Sequence, residues 1–267
     1  MNNAPIGVYD SGIGGLSVWD QIHRHLPDES LIYLGDGKNC PYGGRSREDI
    51  TRFAEEAVEE LLRHGVKMVV VGCNTATTAA IEHLRSRWSE MPIVGLEPAV
   101  KPACLTTQTH RIAVLATEHS LASDMFLRTA ARYSEDVEVV KVVGEGFVEL
   151  VEGCDEFGDK EYEVVRRVVE PLMDKGIDRV VLGCTHYPFL RPLIERVIGN
   201  RGIEVIDSGA AVARRVEWLL ERYDMRAERG VTPTFEFLTF ADEQYRQRLV
   251  RKADVLLARA ANFDVRK

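Results

Sequence analysis

GVKMVVVGCNT, from residue 65 to residue 75, and GIDRVVLGCTH, from residue 176 to residue 186, are two copies of one element. Each copy is a short apolar run that ends in Gly, Cys and a small polar residue, and Cys73 and Cys184 lie 111 residues apart. Such a run before Gly is typical of a buried parallel strand, and open α/β sheets bind ligands at the carboxyl ends of their strands. We therefore expect two similar halves, each of which presents one thiol to a shared cleft.

Strand-like runs alternate with amphipathic helical patterns in both halves. The further runs are residues 6–9, 31–34 and 93–96 in the first half, and residues 112–115, 137–143 and 203–206 in the second. The helix before each cysteine strand is also duplicated, although Pro171 predicts a kink or an early stop in the second copy. The alternation predicts an α/β fold of two similar domains with mainly parallel sheets, related by a pseudo-twofold, with the active site in the interdomain cleft.

The tail of the chain comes after the second series of strands. It contains a helix, an alternating strand around residues 235–237 and a terminal helix. We expect this unpaired segment to pack back on the first half. The predicted domains are thus residues 1–97 with 208–267, and residues 98–207.

The composition is that of an ordinary globular protein of about two domains, with 267 residues, 45% of them apolar and 28% charged. The net charge of −8 argues against nucleic acid or an anionic membrane as the main partner, because either requires a basic face. No apolar stretch is long enough to span a bilayer, and the strand at residues 6–9 leaves no room for a signal peptide. We therefore expect a cytoplasmic protein without a membrane partner.

The five cysteines form no recognisable framework. Their number is odd and no CxxC pair occurs, so neither a disulfide framework nor a structural zinc site is expected. The thiols should be reduced.

A glycine-rich turn, DSGIGG at residues 10–15, joins the first strand to an amphipathic helix. Free backbone N–H groups at such a helix start favour an anion. The turn does not match GxGxxG, because Ser17 stands at the third position, and no GK[ST] comes after it, so a nucleotide site is disfavoured. A purely structural turn remains the alternative.

Two cysteines at matched strand ends allow several chemistries. Each could be a small core residue. Cys184 with His186 could be a nucleophilic pair for acyl transfer, which leaves Cys73 without a role. Zinc ligation by these three residues lacks short-spaced ligand pairs, and nothing in the spacing brings the sulfurs close enough for a redox couple. The remaining arrangement places two acid/base groups on opposite faces of one carbon, where one thiolate takes a Cα proton and one thiol returns another.

Four motifs together resemble the glutamate racemases of the aspartate/glutamate racemase superfamily. They are DSGIGG at 10–15, PYG at 41–43, GCNTAT at 72–77 and GCTHYP at 183–188, and the match runs from residue 6 to about residue 209. The resemblance implies a cofactor-independent enzyme without a metal, two α/β domains, a homodimer, and glutamate as the small-molecule partner. It also implies a role in supplying D-glutamate for peptidoglycan.

The resemblance assigns roles to individual residues. It implies that Cys73 and Cys184 are the proton donors and acceptors, that Asp10 assists Cys73, and that His186 and Glu152 assist Cys184. The residues implied to contact the amino acid are Asp10, Ser11, Pro41, Tyr42, Gly43, Cys73, Asn74, Thr75, Cys184, Thr185 and His186. A turn-forming side chain is the alternative for Asp10, and a helix N-terminal contact is the alternative for His186.

The sequence departs from the family pattern near Glu152. Glu149 stands where the family usually has proline, which weakens the assignment of Glu152, and an additional acid could raise neighbouring pKa values. Two other interpretations remain open. The protein could racemise aspartate or another amino acid, or it could bind an anion in the cleft without chemistry.

Overall fold

In the computed structural model of the chain, the described residues are 1–97, 99–154 and 156–264. They fall into two compact units, one containing the chain up to Leu96 together with the chain from Gly209 onward, and the other running from Glu97 to Ser208.

The first unit contains five strands and five helices among the described residues. In chain order they are β1 (Ile6–Asp10), α1 (Leu16–His25), β2 (Leu31–Gly35), α2 (Arg47–Arg63), β3 (Met68–Val71), α3 (Asn74–Arg87) and β4 (Ile93–Gly95), with α10 (Gly209–Arg222), β9 (Phe235–Thr239) and α11 (Glu243–Asp264) from the end of the chain.

The strands of this unit form one parallel sheet in the order β4-β3-β1-β2-β9. Strands β1, β2 and β3 are buried along their whole length, as expected for a parallel sheet covered on both faces. Strand β9 joins the edge at β2, and the Trp19 ring of α1 packs against Phe235 and Phe237 at centroid distances of 5.3 and 5.5 Å.

The second unit has four strands and six α-helices among its described residues. They are α4 (Val100–Thr106), β5 (Arg111–Ala116), α5 (Glu118–Ala122), α6 (Asp124–Tyr133), β6 (Glu138–Val143), α7 (Phe147–Gly153), α8 (Asp159–Val169), β7 (Arg179–Leu182), α9 (Arg191–Ile198) and β8 (Glu204–Ile206), with 3-10 helices at Glu170–Lys175 and Tyr187–Leu190.

The second sheet is also parallel, in the order β6-β5-β7-β8. Along β5, Ala113 and Leu115 enter one apolar cluster, while Ile112 and Val114 enter the cluster on the other face. This period of two places a core on each side of the sheet. The predicted α/β class, with a parallel sheet in each half, is confirmed.

The duplication seen in the sequence extends to the strand order. Strand β3 lies between β4 and β1, and β7 lies between β8 and β5, so both cysteine strands occupy the same place in their sheets. The glycine after each strand donates its N–H to the neighbouring strand, Gly72 to the Tyr9 carbonyl at 2.6 Å and Gly183 to the Leu115 carbonyl at 2.7 Å. Both cysteines therefore lie at the carboxyl edge of a sheet.

The two copies differ in the segment after the cysteine. Helix α3 begins at Asn74, directly after Cys73, whereas a 3-10 helix comes after Cys184 and α9 begins only at Arg191. Pro188 and Pro192 account for the difference, since a proline in a helix interior removes a backbone hydrogen bond. The early stop predicted from Pro171 is confirmed, because α8 ends at Val169.

No helix in the described part of the chain combines the length and the apolar character needed to cross a bilayer.

Candidate active site

The first thiol, Cys73, joins β3 to α3. Its backbone is extended and its Sγ accepts the Ala76 N–H at 3.4 Å, so the cysteine itself caps the helix. The side chain is 4% exposed. The sulfur is thus held at a helix N-terminus, where the helix dipole favours negative charge.

Asp10 and Ser11 reach the same sulfur from the end of β1. The Cys73 thiol donates to the Ser11 hydroxyl at 3.5 Å, and that hydroxyl donates to Asp10 Oδ1 at 3.3 Å. The Gly12 N–H also donates to Asp10 Oδ1, at 2.8 Å. A Cβ at Gly15 would lie 2.5 Å from the Asp10 Cβ, so the glycine at this position allows α1 to approach the carboxylate.

Electrostatics keep Cys73 protonated in this setting. Burial and the negative charge of Asp10 raise the pKa of the Cys73 thiol to about 12, although the hydrogen bonds with Ser11 and the Ala76 N–H oppose the rise. These surroundings therefore favour the protonated thiol of Cys73 at neutral pH.

Two more of the predicted residues begin α3. Asn74 and Thr75 are both buried, 7% and 8% exposed, in the first turn after Cys73. The Asn74 Oδ1 atom is buried without a hydrogen-bond partner in the described part of the structure. A buried acceptor of this kind is costly unless a ligand or water donates to it.

The loop after β2 carries the predicted Pro41, Tyr42 and Gly43. The Cys40–Pro41 peptide bond is cis, and Pro41 and Gly43 are exposed, whereas Tyr42 is buried. The Tyr42 hydroxyl donates to Asp36 Oδ2 at 2.7 Å. Its hydroxyl is thus already engaged within the protein.

Sequence analysis missed the two partners of Tyr42. The Tyr9 hydroxyl lies 2.6 Å from the Tyr42 hydroxyl, and Asp36 comes directly after β2. The side chains of Tyr9 and Asp36 are both fully buried. The signal that could have identified Asp36 is its position, because a carboxylate after a buried strand of the same sheet lies at the edge that holds Cys73.

The second thiol, Cys184, has a histidine partner. Its Sγ lies 3.7 Å from His186 Nδ1, and His186 Nε2 lies 2.8 Å from Glu152 Oε1 on α7. Cys184 and His186 are buried, and Glu152 is nearly so. The sequence-predicted trio is therefore brought together within the second unit.

The charge balance here is opposite to that around Cys73. Burial alone would lower the pKa of His186, but the hydrogen bonds and charges of Cys184 and Glu152 outweigh it and raise the pKa well above its usual value. The imidazole is therefore predisposed to hold a proton beside the sulfur.

Tyr187 comes directly after His186, and its pKa responds to both Cys184 and Glu149. The Tyr187 hydroxyl donates to the Gly144 carbonyl at 3.3 Å, and its ring packs edge-on against Phe147 at 5.1 Å. Burial, then the charges of Cys184 and Glu149, raise the pKa of Tyr187. The exposed Glu149 thus acts electrostatically on Tyr187, as the extra acid in the sequence suggested. Thr185, which stands between Cys184 and His186 in the sequence, is also buried.

Among the described residues, no group of three or more His, Cys, Asp or Glu side chains is arranged to hold a metal ion.

Comparisons with known proteins show close similarity in both sequence and structure. The chain is 44% identical over 242 residues to the glutamate racemase of Herpetosiphon aurantiacus, covering 91% of this chain and 94% of the relative. Its structure is similar to glutamate racemase from Escherichia coli in complex with L-glutamate and the activator UDP-MurNAc-ala, with 31% identity, a TM-score of 0.84 and 95% of both chains covered.

A second structural relative is glutamate racemase from Francisella tularensis in complex with D-glutamate, with 25% identity, a TM-score of 0.80, and coverage of 97% of this chain and 95% of the other. These matches confirm the resemblance inferred from the four motifs. Residues 7–216 match the sequence model of the Asp/Glu/Hydantoin racemase family, and the chain belongs to that family.

Proposed function

We propose that the protein is a glutamate racemase that interconverts L- and D-glutamate by proton transfer at Cα, with Cys73 and Cys184 as its two acid–base groups and no cofactor. The observation that carries the proposal is the matched placement of the thiols. Each comes after the equivalent strand of its sheet. Cys73 is linked to Asp10 through the Ser11 hydroxyl, and Cys184 contacts His186 directly.

The reaction conserves all atoms and charges. One thiolate takes the Cα proton, and the electron pair of the broken C–H bond remains on the substrate as a planar carbanion. The opposite thiol then gives its proton to the other face and becomes the thiolate. The two sulfurs exchange roles at each turnover, so their titration belongs to the pair.

The first unit supplies groups suited to an amino acid. Asp10 and the unpartnered Asn74 Oδ1 are acceptors for an ammonium group, while Ser11 and Thr75 offer hydroxyls to a carboxylate. Asp10 would also assist proton transfer at Cys73, because a carboxylate hydrogen-bonded through Ser11 can share the thiol proton.

The second unit supplies a base for Cys184. His186 can accept the thiol proton at Nδ1, and Glu152 on Nε2 stabilises the resulting imidazolium. Thr185 would contact the substrate. Because Glu152 is hydrogen-bonded to His186 in spite of the nearby Glu149, the family assignment of Glu152 is kept in the proposal.

Glutamate is proposed as the substrate because a relative that is 44% identical to this chain is named glutamate racemase. The two related structures are complexes with L-glutamate and D-glutamate. We also propose that the enzyme acts in the cytoplasm as a homodimer and supplies D-glutamate for peptidoglycan, as its family resemblance implies.

The test is proton NMR of L-glutamate with the purified, reduced protein in D2O, without added cofactor, while circular dichroism follows chirality. The expected result is loss of the α-proton signal together with decay of optical activity to zero. Exchange without inversion would mean that only one base acts. Turnover of aspartate in place of glutamate would identify aspartate as the substrate. Binding of glutamate without exchange of its α-proton would contradict the proposal.

Three serine variants assign the chemistry. Cys73→Ser and Cys184→Ser should each abolish inversion, because a serine hydroxyl is too weak an acid to replace either thiol. Cys104→Ser is the matched control, since Cys104 is as buried as Cys184 but packs in an apolar cluster with no hydrogen-bonded base among the described contacts. It should retain turnover, and full activity in either of the other two would refute the assignment.

A further inference from the structure

A threonine hydroxyl lies between two strands at the end of the first sheet that carries the first thiol. Val71 of β3 stands opposite Gly95 of β4 in the parallel ladder, so the next ladder hydrogen bond would run from the Leu96 N–H to the Val71 carbonyl. The Thr77 hydroxyl takes this place, because it accepts the Leu96 N–H at 3.1 Å and donates to the Val71 carbonyl at 3.3 Å. The mechanism proposed above does not use Thr77.

Both branches of the Thr77 side chain are held in place. The side chain is 1% exposed. A hydroxyl has a single proton, and because the Leu96 N–H is itself a donor, that proton goes to the Val71 carbonyl. A Cβ at Gly95 would lie 2.7 Å from Thr77 Cγ2, so the methyl group packs closely against the backbone of β4. The hydroxyl therefore has one orientation, fixed by two backbone groups.

The same residue holds the turn that presents the sulfur. Thr77 lies in the first turn of α3, and its backbone N–H donates to the Cys73 carbonyl at 2.9 Å. Its side chain bonds the Val71 carbonyl, which lies two residues before Cys73. Cys73 Sγ accepts the Ala76 N–H of the same helical turn at 3.4 Å. The backbone from Val71 to Cys73 is thus hydrogen-bonded at both ends to one residue, and the position of the sulfur depends on it.

We propose that Thr77 is a positioning residue for Cys73: its hydroxyl ties the turn that carries the thiol to the end of β4 and so holds Cys73 Sγ in place for proton transfer. The inference rests on the proposed function, in which Cys73 is one of two acid–base groups. In the second copy Pro188 stands 111 residues after Thr77, and proline has no hydroxyl. The bridge therefore serves Cys73 and has no counterpart at Cys184.

Two substitutions separate the hydroxyl from the rest of the side chain. Thr77→Val keeps the shape and the methyl contact with Gly95 but removes the bridge, whereas Thr77→Ser keeps the bridge and removes the methyl group. With glutamate as substrate, kcat/KM should fall about 10- to 100-fold in Thr77→Val, because a small displacement of a reacting group is costly. Thr77→Ser should stay near the wild-type value.

Primary isotope effects with the two α-deuterated enantiomers of glutamate show which thiol is displaced. In Thr77→Val, proton abstraction by Cys73 should become more rate-limiting than proton abstraction by Cys184. The isotope effect should therefore be larger for the enantiomer whose α-proton Cys73 removes. His186→Gln disturbs the partner of Cys184, so it should enlarge the effect for the opposite enantiomer. A general loosening of the fold would change both isotope effects alike.

Amide hydrogen exchange of the full-length protein, followed by NMR, tests the same link without substrate. The Ala76 N–H donates to Cys73 Sγ, so its exchange rate reports on the turn. This rate should rise about tenfold in Thr77→Val and stay unchanged in Thr77→Ser. The amides of α2 in the same unit are the internal reference. Thr51→Val is the matched control, since it removes a hydroxyl that donates to the Arg47 carbonyl at 2.8 Å on α2, and it should change neither the Ala76 exchange nor the isotope effects.

Thr77→Ala provides an independent route if Thr77→Val does not fold, because the smaller side chain leaves room for water to reach the two backbone groups. It should change the Ala76 exchange and the isotope effects in the same direction. Unchanged Ala76 exchange in the variants without the hydroxyl would overturn the proposal, as would isotope effects that favour the same enantiomer as in His186→Gln. Absence of racemisation in the wild-type protein would refute the proposed function, whereas the exchange rates would still decide whether Thr77 holds the Cys73 turn.

Discussion

The two cysteine elements share a strand, a glycine and a place in the sheet, but they differ in the charge that surrounds the thiol. Cys73 lies near the anion Asp10, and the pKa of the Cys73 thiol is raised to about 12 by burial and by that charge. Cys184 lies 3.7 Å from His186, whose own pKa is raised and which is supported by Glu152. A duplicated backbone has thus been given unlike side-chain neighbours, one favouring the thiol and the other favouring an imidazolium beside the sulfur.

The same contrast appears before the strands. Lys67 and Asp178 are matched positions, 111 residues apart in the sequence. Lys67 forms an ion pair with Glu29 at 2.6 Å in which both side chains are buried, while Asp178 accepts backbone and hydroxyl donors from the loop before β5. The two copies therefore share the position of the backbone, whereas the polar contacts that stabilise them differ from one copy to the other.

The largest effect is expected at this buried ion pair. Lys67→Met should lower the free energy of unfolding by about 3–5 kcal/mol, because it leaves the Glu29 carboxylate buried without its counter-charge. Urea unfolding followed by circular dichroism measures the change. Combining Lys67→Met with Glu29→Gln should recover much of the loss, since the glutamine keeps an oxygen for the Ala227 N–H that Glu29 now accepts. If the double variant is no more stable than the single one, the cost does not come from the unpaired charge.

His186→Gln should have the next largest effect and should show which sulfur the histidine serves. Loss of a general acid–base group typically costs about 10²-fold or more in rate. Since the equilibrium constant between enantiomers is unity, kcat/KM must fall equally in both directions. The primary isotope effects measured with the two α-deuterated enantiomers need not be equal. Proton abstraction by Cys184 becomes more rate-limiting than proton abstraction by Cys73. We expect a larger effect with one α-deuterated enantiomer than with the other.

His119→Gln, a substitution on α5 in the same unit, is the control and should leave both isotope effects as they are in the wild-type protein. Equal isotope effects for the two enantiomers of His186→Gln would mean that the histidine does not act through Cys184 alone.

Much of the fold was predictable from the sequence, and the reason is local. The β-branched runs, the glycines and the 111-residue offset predict buried parallel strands in two α/β halves, and the structure confirms the class. The 3-10 helix after Cys184 also has a local cause, because Pro188 and Pro192 oppose an α-helix there.

The surroundings of the first thiol were predictable only in part. Asp10 and Ser11 lie next to one another and belong to a recognisable motif, so the sequence points to them. The chain formed by Asp36, Tyr42 and Tyr9 joins residues up to 33 positions apart, and it depends on which side chains meet at the sheet edge. No local pattern encodes such a meeting, and the engaged Tyr42 hydroxyl was therefore not foreseen.

Asp10→Asn should reduce the difference between the two thiols. Removing the carboxylate charge near a buried sulfur should lower the pKa of Cys73 by about one unit, since Asp10 contributes to its rise after burial itself. A pH titration of the protein carrying [¹³Cβ]cysteine, with the Cys73 signal assigned by Cys73→Ser, measures the shift. Asp20→Asn, on α1 of the same unit, is a control whose carboxylate pairs with Arg24, and it should have no effect on Cys73. A rise in the Cys73 pKa, or none, would show that Asp10 does not act by its charge.

The smallest expected effect is on stability at Glu152, and it should depend on pH. The pKa of His186 is raised in the folded protein, partly by Glu152, so protonated His186 stabilises the fold most below its usual value of about 6.5, and that contribution is lost as the pH rises through the folded value. Glu152→Gln should therefore reduce the free energy of unfolding by about 1 kcal/mol near pH 6 and by less as the pH increases. Glu149→Gln is the matched control on the same helix, because its carboxylate acts on Tyr187 instead. Urea unfolding of the wild-type protein and the two variants across this pH range measures the effect. A loss of stability that is independent of pH would assign Glu152 a packing role. The two halves would then not differ by an anion near one sulfur and a histidine supported by Glu152 near the other.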